Sequence, residues 1–147
     1  MSKDIDSGRY SCAECERGYK NTIIINEYSV DWGQPVILVE GYFDAIRTQM
    51  SNVIPLLGST LRIDSKLFET IVKNNTPVFF ALDPDAKRKQ IHIIKSFVSY
   101  KVPCYIVNVE PYKDVGCMPN NEFKGRYRAA KQIEEFDLLK QEFGMIK

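Results

Sequence analysis

The chain has 147 residues, 44% of them hydrophobic and 27% charged, which suits one globular domain with a sizeable core and excludes a disordered or fibrous chain. Its net charge of +1 excludes a global pull toward nucleic acid, so any such contact needs a local basic patch. No apolar run approaches the roughly 20 residues of a membrane helix, and the polar start Met1-Ser2-Lys3-Asp4 is unlike a signal peptide, so a cytoplasmic protein with reduced cysteines and no membrane contact is expected.

Residues 1–34 read as a polar leader, within which Thr22-Ile23-Ile24-Ile25 is either a short edge strand or a docking segment. The turn Asp31-Trp32-Gly33-Gln34-Pro35 opens the compact domain, residues 35–147. Val36–Val39 is a strand apolar at every position, as expected when both faces are covered. Residues 42–50 form a helix with Phe43, Ile46 and Met50 expected inward, and residues 53–57 a second strand closed by Gly58. Asp64 is the expected N-cap of a helix over residues 65–73, with Leu67, Phe68, Ile71 and Val72 facing the core.

Residues 77–82 are the third strand. Residues 86–100 are a helix with Ile91, Ile94 and Phe97 inward, and residues 103–109 the fourth strand. Gly125 precedes a last helix over residues 126–143. This alternation predicts an α/β, Rossmann-like fold: a four-stranded, mainly parallel sheet flanked by helices. Ligands of such sheets sit beyond the carboxyl ends of the strands, where strand order reverses.

Two apolar strands here run into acids at that end: Val39 into Glu40-Gly41, and Leu82 into Asp83-Pro84-Asp85. If the strands are neighbours, the acids start about 5 Å apart. Carboxylates that close are costly without a cation, so Glu40, Asp83 and Asp85 are the candidate metal and catalytic residues. Alone, Asp83-Pro84-Asp85 also reads as a proline turn with Asp85 capping the next helix. Gly41 lets the backbone turn tightly and keeps space for a phosphate. Asp44 either supports the metal or supplies favourable charge to a first helical turn.

Lys87, Arg88 and Lys89 form either a solvated helix face or a phosphate contact, with Lys87 and Arg88 the preferred phosphate binders. Lys113 is a further candidate for phosphate, and Asp114 is a metal ligand or a turn residue. Cys12 and Cys15 make half of a zinc knuckle. Cys104 reads as core, and neither Cys117 nor His92 has a spacing that completes four ligands, so zinc is not expected.

The set Glu40, Gly41, Asp44, Asp83 and Asp85 resembles the Toprim domain shared by bacterial-type DNA primases, type IA and II topoisomerases and several nucleases. Val39-Glu40-Gly41-Tyr42-Phe43-Asp44-Ala45, the loop Leu57-Gly58-Ser59-Thr60-Leu61 and Lys113-Asp114 look most like the primase version. One departure is Ala86-Lys87, where many members carry a small residue and glycine; phage-type primases resemble this variant. The resemblance spans residues 35 to 125. It implies RNA-primer synthesis on single-stranded DNA from ribonucleoside triphosphates, with Mg²⁺ or Mn²⁺ held by Glu40, Asp83 and Asp85 and with Glu40 as general acid or base. Family primases add a zinc ribbon and a basic subdomain, and residues 1–34 are too few for either, so partner domains, a replicative helicase or another primase subunit are expected. Phosphodiester cleavage of the nuclease or topoisomerase kind, and a non-catalytic replication module, are the alternatives.

Overall fold

The computed structural model describes residues 19–144, together with the backbone of Ser2–Lys3 and Tyr10–Ser11, which pair antiparallel. Cys12 and Cys15 lie outside the described residues. The main sheet has four strands: β1 (Val36–Val39), β2 (Val53–Pro55), β3 (Val78–Ala81) and β4 (Cys104–Ile106). Their order is β2-β1-β3-β4, and every pairing is parallel. Besides a single helical turn at Tyr19–Thr22, five longer helices lie among the described residues: α1 (Tyr42–Thr48), α2 (Lys66–Asn74), α3 (Lys87–Ser99), α4 (Asn120–Ala129) and α5 (Glu135–Glu142).

The strands are apolar throughout because both faces are covered. Val36, Leu38, Val78 and Phe80 pack with Phe68 and Ile71 of α2, Ile94 and Phe97 of α3 and Leu138 of α5. Ile37, Val39, Phe79 and Ala81 pack on the opposite face with Val115, Met118 and Phe123, and with Ala45 of α1. The chain moves one way from β1 to β2, then back past β1 to β3. Right-handed crossovers in opposite directions put α1 on one face and α2 and α3 on the other.

Three local expectations are corrected. Ser65, not Asp64, caps α2: its hydroxyl accepts the Phe68 N–H at 3.2 Å, while Asp64 pairs with Arg62 at 2.7 Å. In α1, Phe43 is 80% and Ile46 53% exposed. Ala45 and the buried Thr48 face the sheet instead, with Met50 beyond them. Small side chains go inward where a short helix must approach strands closely.

The expected last helix is two helices. The chain leaves α4 at Ala130, which is extended, so Gly125 falls inside α4. Gln132 then bridges Tyr105, and the Ile133 N–H donates to the Cys104 carbonyl at 2.8 Å. Those bonds cover the free edge of β4, which would otherwise expose unpaired backbone groups.

The segment before β1 docks rather than pairing as a strand. Ile24 is buried in the core, and Lys66 Nζ holds Glu27 Oε2 at 2.6 Å. Asn52 and Asp31 exchange hydrogen bonds of 2.9 and 2.7 Å, which fixes the turn ahead of β1. No helix among the described residues is long and apolar enough to cross a membrane.

Phe80 and Phe97, both fully buried, lie with ring centroids 6.0 Å apart between β3 and α3. Phe97→Ala is expected to cost about 3–5 kcal/mol, read as a lower urea midpoint with an unchanged slope. A loss under about 1 kcal/mol would show that this packing does not hold α3 on the sheet.

Candidate metal centre

β1 and β3 are hydrogen-bonded neighbours, with Val39 opposite Ala81. They are also the pair at which strand order reverses, so the chain just beyond them borders the crevice where α/β sheets bind ligands. Glu40 follows β1 directly. Asp83 follows β3 by two residues and caps a single 3₁₀ turn, Pro84–Ala86, which carries Asp85. The Ala86 N–H donates to the Asp83 carbonyl at 2.9 Å and closes that turn. Proline at its first position stiffens it. Each of Glu40, Asp83 and Asp85 thereby offers a carboxylate oxygen within 4.8 Å of the other two.

The cluster carries unrelieved charge. Burial, then the neighbouring carboxylates, Glu40 foremost, push the Asp83 carboxyl up to about 7. Burial also raises Glu40, helped by Asp85 and Asp44 and opposed by the Asp83 N–H and by Lys89. That N–H donates to Glu40 Oε1 at 3.3 Å. Asp83 Oδ1 is buried with no hydrogen-bond partner among the described residues. Three carboxylates, one of them with a buried oxygen that has no partner among the described residues, suit a hard divalent cation.

Asp44 stands outside this group of three. Its Oδ2 accepts the Gly41 N–H at 3.0 Å and its Oδ1 accepts the Gly116 N–H at 2.9 Å. It therefore ties the turn after β1 to the loop that carries Lys113 and Asp114. Glycine at 41 is needed for space rather than for a tight turn: its backbone is extended, and a Cβ would lie 3.0 Å from Asp44 Oδ2. A Cβ at Gly116 would meet Asp44 Oδ1 at 3.1 Å and Asp114 Oδ1 at 3.3 Å. Asp114 caps its own loop, accepting the Cys117 N–H at 2.8 Å, and its charge reaches Asp83.

The cations separate. Lys87 lines a groove that Asp83 also lines, and Arg88 is exposed on α3. Lys113 is exposed on the Asp114 loop. Lys89 is the cation of that run whose charge reaches Glu40, and its Nζ donates to Ser59 Oγ at 2.8 Å. No local spacing singles it out, because Glu40 and Ser59 lie far from it in the sequence. Ser59 belongs to the loop after β2, where Gly58 sits at φ 153° and its N–H donates to the Glu40 carbonyl at 3.2 Å. That loop thus holds Glu40 from one side and Lys89 from the other. Cys104 is buried in β4 and His92 is exposed on α3, neither near a metal-binding group among the described residues.

No protein-family model matches the chain, and no curated protein matches it. Among solved structures, the zinc-binding and RNA polymerase domains of the Aquifex aeolicus primase superpose with a TM-score of 0.57 at 24% identity. The match covers 73% of this chain and 28% of that one, so the chain spans little more than a quarter of that primase fragment. The likeness is one of fold, and it agrees with the parallel sheet described above.

Asp83 titrates near 7 when folded and near 4 when unfolded. The folded state then holds the proton more tightly between those values. Its penalty is absent below about pH 4 and complete above about pH 7. In chelator, stability is expected to fall from pH 5 to pH 8, and Asp83→Asn to recover about 1–2 kcal/mol at pH 8 after allowance for solvent screening. Thermal melts at the two pH values check this; an Asp83→Asn protein no more stable than the parent at pH 8 would refute it.

Proposed function

We propose that this chain is a primase-type Toprim domain, a metal-dependent nucleotidyltransferase core that joins ribonucleotides on single-stranded DNA together with partner domains or proteins. The observation that carries this reading is the convergence of Glu40, Asp83 and Asp85 at the strand-order reversal. The residues Glu40-Gly41, Asp44 and Asp83-Pro84-Asp85 support it, as does a fold shared with a primase fragment.

In this reading Asp83 and Asp85, with Glu40, hold Mg²⁺. A bound divalent ion supplies neutralisation of triphosphate charge and a more acidic attacking hydroxyl. Glu40, whose carboxyl burial raises above its ordinary range, takes a proton from that hydroxyl or returns one to the leaving oxygen. Lys89 and Lys113 offset phosphate charge. Asp44 acts as a positioning residue, because both its oxygens are committed to backbone amides. Tyr42 and Phe43, 48% and 80% exposed just past Gly41, offer ring faces on which bases of a single strand stack.

The test combines single-stranded DNA, labelled ribonucleotides and Mg²⁺, with and without a replicative helicase. Labelled dinucleotides and short primers are expected. Asp83→Ala and Asp85→Ala should each lower the yield by at least about a hundredfold while thermal unfolding stays cooperative. Undiminished product from either variant would sink the proposal. Shortened DNA in place of new RNA would reassign the same acids to phosphodiester cleavage, and a melt that Mg²⁺ leaves unmoved would favour a binding module.

A further inference from the structure

A second feature adjoins the acidic cluster. Beyond Asp83 a groove of about 360 Å³ runs between α3, the chain after β4, and α5. That volume lies within the range of small-molecule sites. Ile91, Ile106 and Ile133 form apolar walls, and the amides of Gln90 and Gln141 face the same space. Asp83 and Lys87 also line it.

The two amides are anomalous. Gln90 is 7% exposed on the core side of α3, where the helix otherwise buries Ile93, Ile94 and Phe97. Its side chain makes no hydrogen bond among the described residues. Gln141 Oε1 is buried and likewise has no partner among them. A buried amide oxygen left unpaired costs about 1–3 kcal/mol, so Gln141 Oε1 calls for a partner, and the Gln90 amide on the same groove is free to take one. The far wall is a fixed one: Leu138 anchors α5 in the core, and Lys95 Nζ holds Glu142 Oε2 at 2.8 Å.

The geometry points to a nucleobase subsite in this groove, taking the base of the nucleotide whose phosphates lie at the Glu40–Asp83–Asp85 cluster. This rests on the metal-dependent reading above for the phosphate end alone. A flat heterocycle matches the site chemically. Its faces suit isoleucine walls, and its edge carries both donors and acceptors for the two amides. Lys87, which shares the groove with Asp83, matches the phosphate that follows the sugar.

The test titrates the full ¹⁵N-labelled chain, in Mg²⁺, with ATP, adenosine and tripolyphosphate in turn. ATP and adenosine are expected to move the side-chain amide signals of Gln90 and Gln141, and tripolyphosphate to leave them in place. Gln90→Leu and Gln141→Leu should each weaken ATP about tenfold and leave tripolyphosphate affinity unchanged. Leucine is a conservative fill for a buried glutamine, and retained amide dispersion shows that each variant folds. Adenosine that leaves both amide signals unmoved, or variants that bind ATP as tightly as the parent, would overturn the assignment. Failure of the phosphate reading shows differently: tripolyphosphate binding would then be indifferent to Asp83→Asn, while adenosine still moved the two glutamines.

Discussion

Mutual repulsion among Glu40, Asp83 and Asp85 is the constraint around which the rest of the domain is organised. Their oxygens lie within 4.8 Å of one another, and one Asp83 oxygen is buried without a partner. In water such groups would move apart. Here backbone at or just beyond the sheet's strand ends brings them together. Glu40 continues β1, and Asp83 starts a proline-stiffened turn two residues after β3. The sheet itself is clamped by apolar side chains on both faces. Hydrophobic burial thus supplies the rigidity that holds the acids together, and their electrostatic cost is one that a bound cation would relieve.

The surrounding loops are fastened to the same point. The loop after β2 donates a backbone N–H to the Glu40 carbonyl and supplies Ser59 to Lys89. The loop after β4 donates its Gly116 N–H to Asp44, whose other oxygen holds Gly41. Functional groups carried on loops are normally the most mobile part of an α/β fold. In this domain the residues after β1, β2 and β4 form one hydrogen-bonded rim. Substituting Gly41 or Gly116 would push a Cβ against an Asp44 oxygen, so the rim tolerates little added volume.

Much of this was legible in the chain itself. Val36–Val39 and Val78–Ala81 are apolar at every position, which announces strands buried on both sides, and both end in acids. Less legible was which helix face points inward. In α1 the bulky Phe43 and Ile46 share a face by spacing, yet the close approach to the sheet selects Ala45 and Thr48. The break between α4 and α5 contains neither glycine nor proline. It exists because the edge of β4 offers backbone partners to Gln132 and Ile133, a gain no local pattern reports.

By itself the sequence determined the alternation of strands and helices, the burial of the sheet and the identity of the acids, because these follow from local periodicity and polarity. Only the tertiary structure decided that β1 and β3 are neighbours, that Asp44 spends both oxygens on backbone amides, and that Lys89 rather than Lys87 faces Glu40. It alone decided that two unpaired glutamines, far apart in the chain, share one groove. The physical reason is common to all four: each depends on strand order and on which segments close over the sheet. Those are fixed by the packing of the whole core and leave no mark in any short stretch of residues.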